Sequence, residues 1–121
     1  MMTTAETGRM GESAAADSLR RRGYSILAQN WRQGRDELDL VATDGEVLHI
    51  VEVKTRQAGS LTPPEAAATR RKFRALTRAA RCYLRATGWT GEVQFDLASV
   101  EIGADGAVRV ELIENAMEYN W

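Results

Sequence analysis

The sequence predicts one α/β domain with the element order α-β-β-β-α-β-β, a mixed sheet flanked by helices. Two β-rich runs flank Asp44-Gly45, a dipeptide that tolerates the positive φ angles of a tight hairpin turn. A long helical pattern then separates this hairpin from two further β-rich runs, and the order strand, long helix, strand favours a right-handed crossover between parallel strands. A helical pattern also opens the chain. The length of 121 residues suits a single core, and 44% apolar with 27% charged residues is an ordinary soluble composition.

The first helix is expected from about Gly8 to Arg22. Glu12, Ala15, Ala16 and Leu19 keep the helical spacing, Arg20 to Arg22 fill the last turn and Gly23 suits a C-terminal cap. Residues 1–7 are expected to fray. Glu12 thus falls on the stripe that faces the core, where an acid is unexpected; its bland explanation is a charge favoured by the helix dipole. Tyr24 to Trp31 reads as a strand with Ile26 and Ala28 on one face, followed by a short polar link and the hairpin, so the first three strands form an antiparallel meander.

A loop of Thr43 to Glu46, or of Asp44-Gly45 alone, sets Val41 opposite Leu48, Asp39 opposite Ile50 and Glu37 opposite Glu52. One face then carries Leu38, Leu40, Ala42, Val47, His49, Val51 and Val53, and the other carries Glu37, Asp39, Glu52 and Lys54. A one-residue slip would scatter the charges. Glu37 and Glu52 would lie about 5 Å apart with Asp39 on a diagonal at roughly 7 Å. Carboxylates so crowded repel, and a divalent cation such as Mg²⁺, with its preference for hard oxygen ligands, is the simplest compensation. His49, on the apolar face, reads as a core or interface histidine rather than a general base.

After Lys54 a Gly-, Ser-, Thr- and Pro-rich loop, residues 55–64, leads to a helix whose start is signalled by Thr62-Pro-Pro-Glu65 or by Thr69. Phe73, Leu76, Thr77, Ala80, Tyr83 and Leu84 form its apolar stripe up to about Thr87. The opposite face is Arg70, Arg71, Lys72, Arg74, Arg78, Arg81 and Arg85, with no acid between Glu65 and Glu92. A solvated face in an arginine-rich protein is the bland explanation; beside an acidic motif, phosphate binding is the stronger one. Glu92 to Ile102 and Ala107 to Ile113 are the last two strands, and a five-residue loop aligns Val100 with Val110 and Ile102 with Val108. Trp31, Trp89 and the tail residues Tyr119 and Trp121 are expected to pack on the domain or a partner.

Asp39, followed after twelve residues by Glu52-Val53-Lys54, resembles the Asp…Glu-x-Lys signature of the restriction-endonuclease-like nucleases, which include the archaeal Holliday junction resolvases. Gly11-Glu12, Gly23-Tyr24-Ser25-Ile26-Leu27, Glu37-Leu38-Asp39-Leu40-Val41-Ala42, Val51-Glu52-Val53-Lys54-Thr55-Arg56, Arg71-Lys72, Phe95-Asp96 and Ile113-Glu114-Asn115-Ala116 resemble, in order, the bacterial YraN-like family. The resemblance covers residues 8–118, taken as the domain, with 119–121 a tail. Asp36 stands where that family usually has Gly, and Gly59-Ser60-Leu61-Thr62 replaces a common Phe-Gly.

The resemblance implies a restriction-endonuclease-like core and a metal-dependent endonuclease acting on DNA, including branched junctions. It implies that Asp39, Glu52 and the Val53 carbonyl hold Mg²⁺ or Mn²⁺, that Lys54 orients the attacking water or stabilises the phosphorane, and that Glu12 is an extra ligand or base; Glu37 is a further candidate ligand. The basic helix, with Arg56, would hold the nucleic-acid backbone. By analogy with the resolvases a homodimer is expected. The alternatives are a non-catalytic nucleic-acid-binding accessory protein and a surface ion-pair cluster.

Cys82 is the only cysteine, which excludes an intrachain disulfide and a Cys/His zinc cluster. No apolar run approaches the roughly 18 residues that span a bilayer, and no signal-peptide core opens the chain, so no membrane partner and a cytoplasmic location are expected.

Overall fold

The computed structural model describes residues 3–59 and 70–116. Helix α1 (Thr4–Arg21) starts earlier than its apolar periodicity predicts, because Thr3 and Glu6 close a capping box: Thr3 Oγ1 accepts from the Glu6 N–H at 3.1 Å, and Glu6 Oε1 accepts from the Thr3 N–H at 3.1 Å. It is followed by β1 (Ser25–Gln33), β2 (Asp36–Thr43), β3 (Val47–Gln57), α2 (described over Arg70–Thr87), β4 (Glu92–Ile102) and β5 (Val108–Ile113). This is the predicted order. The helix-start signals at Thr62 and Thr69, the loop beyond Gly59 and the tail residues Tyr119 and Trp121 lie outside the described residues.

The five strands form one sheet in the order β1-β2-β3-β4-β5. All neighbours are antiparallel except β3 and β4, which the α2 crossover makes parallel. In the last hairpin Val100 pairs with Val110 and Ile102 with Val108, as expected. The central hairpin differs. Val41 pairs with Ile50 and Thr43 with Leu48, two residues from the predicted register. The turn explains the difference: Asp44 Oδ1 accepts from the N–H groups of both Glu46 and Val47, at 2.9 and 3.0 Å, and draws Val47 into the loop. A two-residue shift preserves faces, so Leu40, Ala42 and Val51 share one face as expected although the pairings change.

Each face of the sheet carries one helix. Below α2 lie Leu38, Val41, Leu48 and Ile50, packed against Leu76, Ala79, Ala80 and Tyr83, with Trp31, Phe73, Trp89 and Phe95 around them. Trp31 meets the Tyr83 ring edge-on at 5.4 Å. Against α1 lie Leu40, Ala42, Val51, Ala98 and Val100, packed on Ala15, Ala16 and Leu19. The helix comes close because residue 11 is glycine: a Cβ there would collide with Thr55 of β3.

Leu38 belongs to the α2 side and Leu40 to the α1 side, so the period-two alternation expected for β2 breaks at Asp39. The neighbouring strand breaks with it. Asn30, which lies between the pairs Gln29–Leu40 and Trp31–Leu38 and so opposite Asp39, has φ +52°. A second irregularity between Ile26 and Ala28 puts these two residues on opposite faces, not on the single face predicted.

Candidate metal and nucleic-acid site

The bend at Asp39 determines the site. Pairing of β2 with β3 ends at Leu40–Val51, while β3 runs on beside β4 to Gln57. Beyond that point the edge of β3 facing β2 has lost its backbone partners. Asp39 fills the opening, its Oδ2 accepting from the Val53 N–H at 2.9 Å. The N–H and C=O of a strand residue point to the same side, so the Val53 carbonyl faces the same opening.

Glu52 lies close enough to Asp39 for the two carboxyl groups to act on each other. Burial, with only 16% of the Glu52 side chain exposed, and then the Asp39 charge push the Glu52 carboxyl up to about 7, against a partial offset from Lys72. The third acid arrives from α1. Glu12 sits in the third turn, well past the helix start, which removes the dipole explanation of its position. Burial, then Asp39, then Glu37 raise its carboxyl above the usual range, and a hydrogen bond with Asn30 opposes them. Its Oε2 is buried and has no hydrogen-bond partner among the described residues. Close packing at Gly11 is what lets the next residue reach across to β2.

The structure therefore brings together Glu12, Glu37, Asp39, Glu52 and the Val53 peptide. Among the described residues no three His, Cys, Asp or Glu side chains converge tightly enough to hold an ion alone. The fit to a metal is that of a hard, water-retaining cation: two adjacent carboxylates, a backbone carbonyl and no nitrogen or sulfur donor. Lys54 lies two residues past Glu52 on the same face and is exposed.

The predicted phosphate-binding residues divide into groups. Arg71, Arg74 and Arg78 of α2 line a cleft of about 620 Å³ with Arg35 and Asp36 from the β1–β2 turn. Arg78 forks onto Asp36 with two hydrogen bonds of 3.1 Å. Arg35, Arg71 and Arg74 have no acidic partner among the described residues. Lys72 turns instead to the acidic site, Nζ 3.5 Å from Glu52 Oε1. Arg81 and Arg85 are exposed further along the helix and do not line that cleft, and the side chain of Arg70 lies outside the described residues. Arg56 lines a different cleft, of about 470 Å³, with Arg22, Ser99, Glu101 and Arg109.

Sequence reasoning missed Arg35, Asn30 and the position of Lys72. It also missed a buried network at the other end of β3. His49 Nδ1 meets Asp96 Oδ2 at 2.7 Å, and Asp96 Oδ1 accepts from Gln94 Nε2 and from the Asn115 N–H, each at 2.9 Å. Phe95-Asp96 and Ile113-Glu114-Asn115-Ala116, two separate motifs of the resemblance, meet at this carboxylate; their shared presence was the available signal.

The model of the uncharacterised protein family UPF0102 matches residues 11–100. The chain is 46% identical over 112 residues to a UPF0102 protein of Porphyromonas gingivalis, spanning 92% of this chain and 83% of that one. It is 46% identical over 110 residues to a UPF0102 protein of Symbiobacterium thermophilum, spanning 90% and 93% respectively. With a UPF0102 protein of Chlorobium chlorochromatii it shares 38% identity over 121 residues, spanning 98% of this chain and 94% of the relative.

Proposed function

The chain belongs to the uncharacterised protein family UPF0102, and from the acidic site beside its basic cleft we propose that it is a divalent-metal-dependent endonuclease acting on DNA, branched junctions included. The observation that carries this reading is the Asp39–Glu52 pair, set beside a strand edge whose Val53 peptide is left unpaired by β2. Two adjacent carboxyls in a partly dry site are under-compensated, and a dication resolves the repulsion.

In the proposed mechanism Asp39, Glu52 and the Val53 carbonyl hold Mg²⁺ or Mn²⁺. When bound, the cation supplies Lewis-acid stabilisation of the phosphate and a more acidic water. Lys54, exposed on the same face, orients the nucleophile or donates to the phosphate. Glu12, its Oε2 unpartnered and its carboxyl raised by burial and the neighbouring acids, can accept a proton or add a ligand. Arg35, Arg71, Arg74 and Arg78 hold flanking phosphates, so recognition reads backbone and shape rather than base sequence.

The basic cleft also favours a second reading, a binding protein without turnover, because its arginines need no metal. Cleavage of a labelled four-way junction, with duplex and single-stranded controls, separates the two. Wild type is expected to cut with Mg²⁺ or Mn²⁺ and not in EDTA, and Glu52→Gln to lose about a hundred-fold or more of the rate while still binding. Binding without cutting by the wild type would promote the second reading; metal-dependent cutting undiminished in Asp39→Ala would discard the site. Among the described residues no helix is long and apolar enough to cross a membrane.

A further inference from the structure

Of the 16 basic residues in the chain only Lys54 and Lys72 are lysines, and both stand beside Glu52. Lys54 follows it on the same strand face, exposed and without an ion pair among the described residues. Lys72 reaches it from α2, Nζ 3.5 Å from Oε1, with 46% of its own side chain still open to solvent. Arginine supplies every other cation on that helix. An arginine at position 72 would fork onto the carboxylate and stay there; an ammonium on a flexible stem is a point charge that can leave.

A Mg²⁺ ion bound at about 2.1 Å from Oε1 would lie within about 6 Å of that ammonium. The two cations would then repel across a site with little water to screen them. We propose that Lys72 is the resident counter-ion of the acidic site: it holds Glu52 in place while no metal is bound, competes with the divalent cation for the same oxygen, and withdraws towards solvent as the cation enters. The proposal rests on the metal-dependent reading above and adds a built-in threshold to it, because cation binding must first displace a charge supplied by α2. The helix that carries the phosphate-binding arginines thereby senses whether the metal site is filled. Lys72 is a positioning residue in this scheme.

The test is calorimetric titration of Mn²⁺ into wild type, Lys72→Ala, Lys72→Gln and Lys72→Arg at low ionic strength and pH 8.5. Lys72→Ala and Lys72→Gln are expected to bind Mn²⁺ about three- to ten-fold more tightly than wild type, the scale of removing one partly screened charge. Lys72→Arg is expected to bind no more tightly than wild type. Raising the salt should shrink the gap. Lys72 is half exposed, so folding should persist, and melting curves of each variant check it. Unchanged or weaker Mn²⁺ binding in both neutral variants, with wild type and an Asp39→Ala control behaving as a metal site requires, would overturn the counter-ion role alone. Failure of wild type and neutral variants alike to bind Mn²⁺ at millimolar concentration would overturn the metal site and the counter-ion role together.

Discussion

Strand β3 carries two acidic clusters, and they solve opposite problems. Towards its start, His49 and Asp96 are 3% and 1% exposed, and the aspartate receives three hydrogen bonds, from an imidazole, an amide side chain and a backbone N–H. Its charge is matched where it forms. Three residues on, Glu52 lies beside another carboxyl, faces one half-exposed ammonium and is pushed up to about 7. The difference separates a carboxylate that holds the fold from one that the fold holds in readiness. A buried acid marks a functional site only when its surroundings leave it under-compensated.

The largest expected effect breaks the comparison at its satisfied end. Asp96→Ala strands a buried imidazole, an amide side chain and the Asn115 N–H that ties the end of β5 back to β4. Removing one member of such a pair costs about 3–5 kcal/mol, readable as a lowered urea midpoint with unchanged slope. Mn²⁺ should restore none of it. Recovery on adding Mn²⁺ would show that the two clusters are coupled, and the division between them would fail.

The next effect tests how the unsatisfied end is assembled. Gly11→Ala sets a methyl against Thr55, and overpacking of this kind costs about 1–3 kcal/mol as α1 moves out. Movement of α1 carries Glu12 away from Asp39. Thr55→Ala in the same chain should recover most of the loss, and a double-mutant cycle of melting temperatures measures the coupling. Equal losses with and without Thr55 would locate the cost elsewhere.

Much of this organisation was legible in the residues. Element order, the parallel crossover and the last hairpin's register follow from pattern and turn chemistry, whereas Asp39 and Glu52 meet at the Val53 peptide in a register two residues from the expected one. What escaped was the bend. Asn30 at φ +52° opposite Asp39 breaks a strand that looks regular in sequence, and a turn that absorbs Val47 displaces the ladder by two residues. Both arise from backbone hydrogen bonding that side-chain periodicity does not report. Had the ladder run straight at the predicted register, Glu37 would face Glu52; in the folded chain Asp39 does. The partner of Lys72 escaped for another reason. On a helix carrying seven basic residues, only the tertiary fold decides which of them turns inward.

The smallest effect is also the most direct reading of under-compensation. In EDTA, Glu52→Gln should make the protein more stable than wild type at pH 8, by about 1–2 kcal/mol. The sign follows from the direction of the shift. The folded state raises the Glu52 carboxyl from 4.5 to about 7, so it favours the protonated form. That contribution is fully present below about pH 4.5 and is lost as pH rises through about 7. Glutamine mimics the protonated acid at every pH. The two proteins should therefore melt together near pH 4, diverge between about pH 4.5 and 7, and keep a constant gap above. Titrating groups remote from Glu52 are common to both and cancel in the difference. The figure stays below the full shift, which already includes the attraction of Lys72, because the open side of the site screens the charge. Asp96→Asn should melt below wild type at pH 8, since its amide NH₂ would face one of the groups now hydrogen-bonded to the carboxylate. If Glu52→Gln also melted below wild type at pH 8, the Glu52 charge would be as well matched as that of Asp96, and the argument for a cation at this end of β3 would lose its foundation.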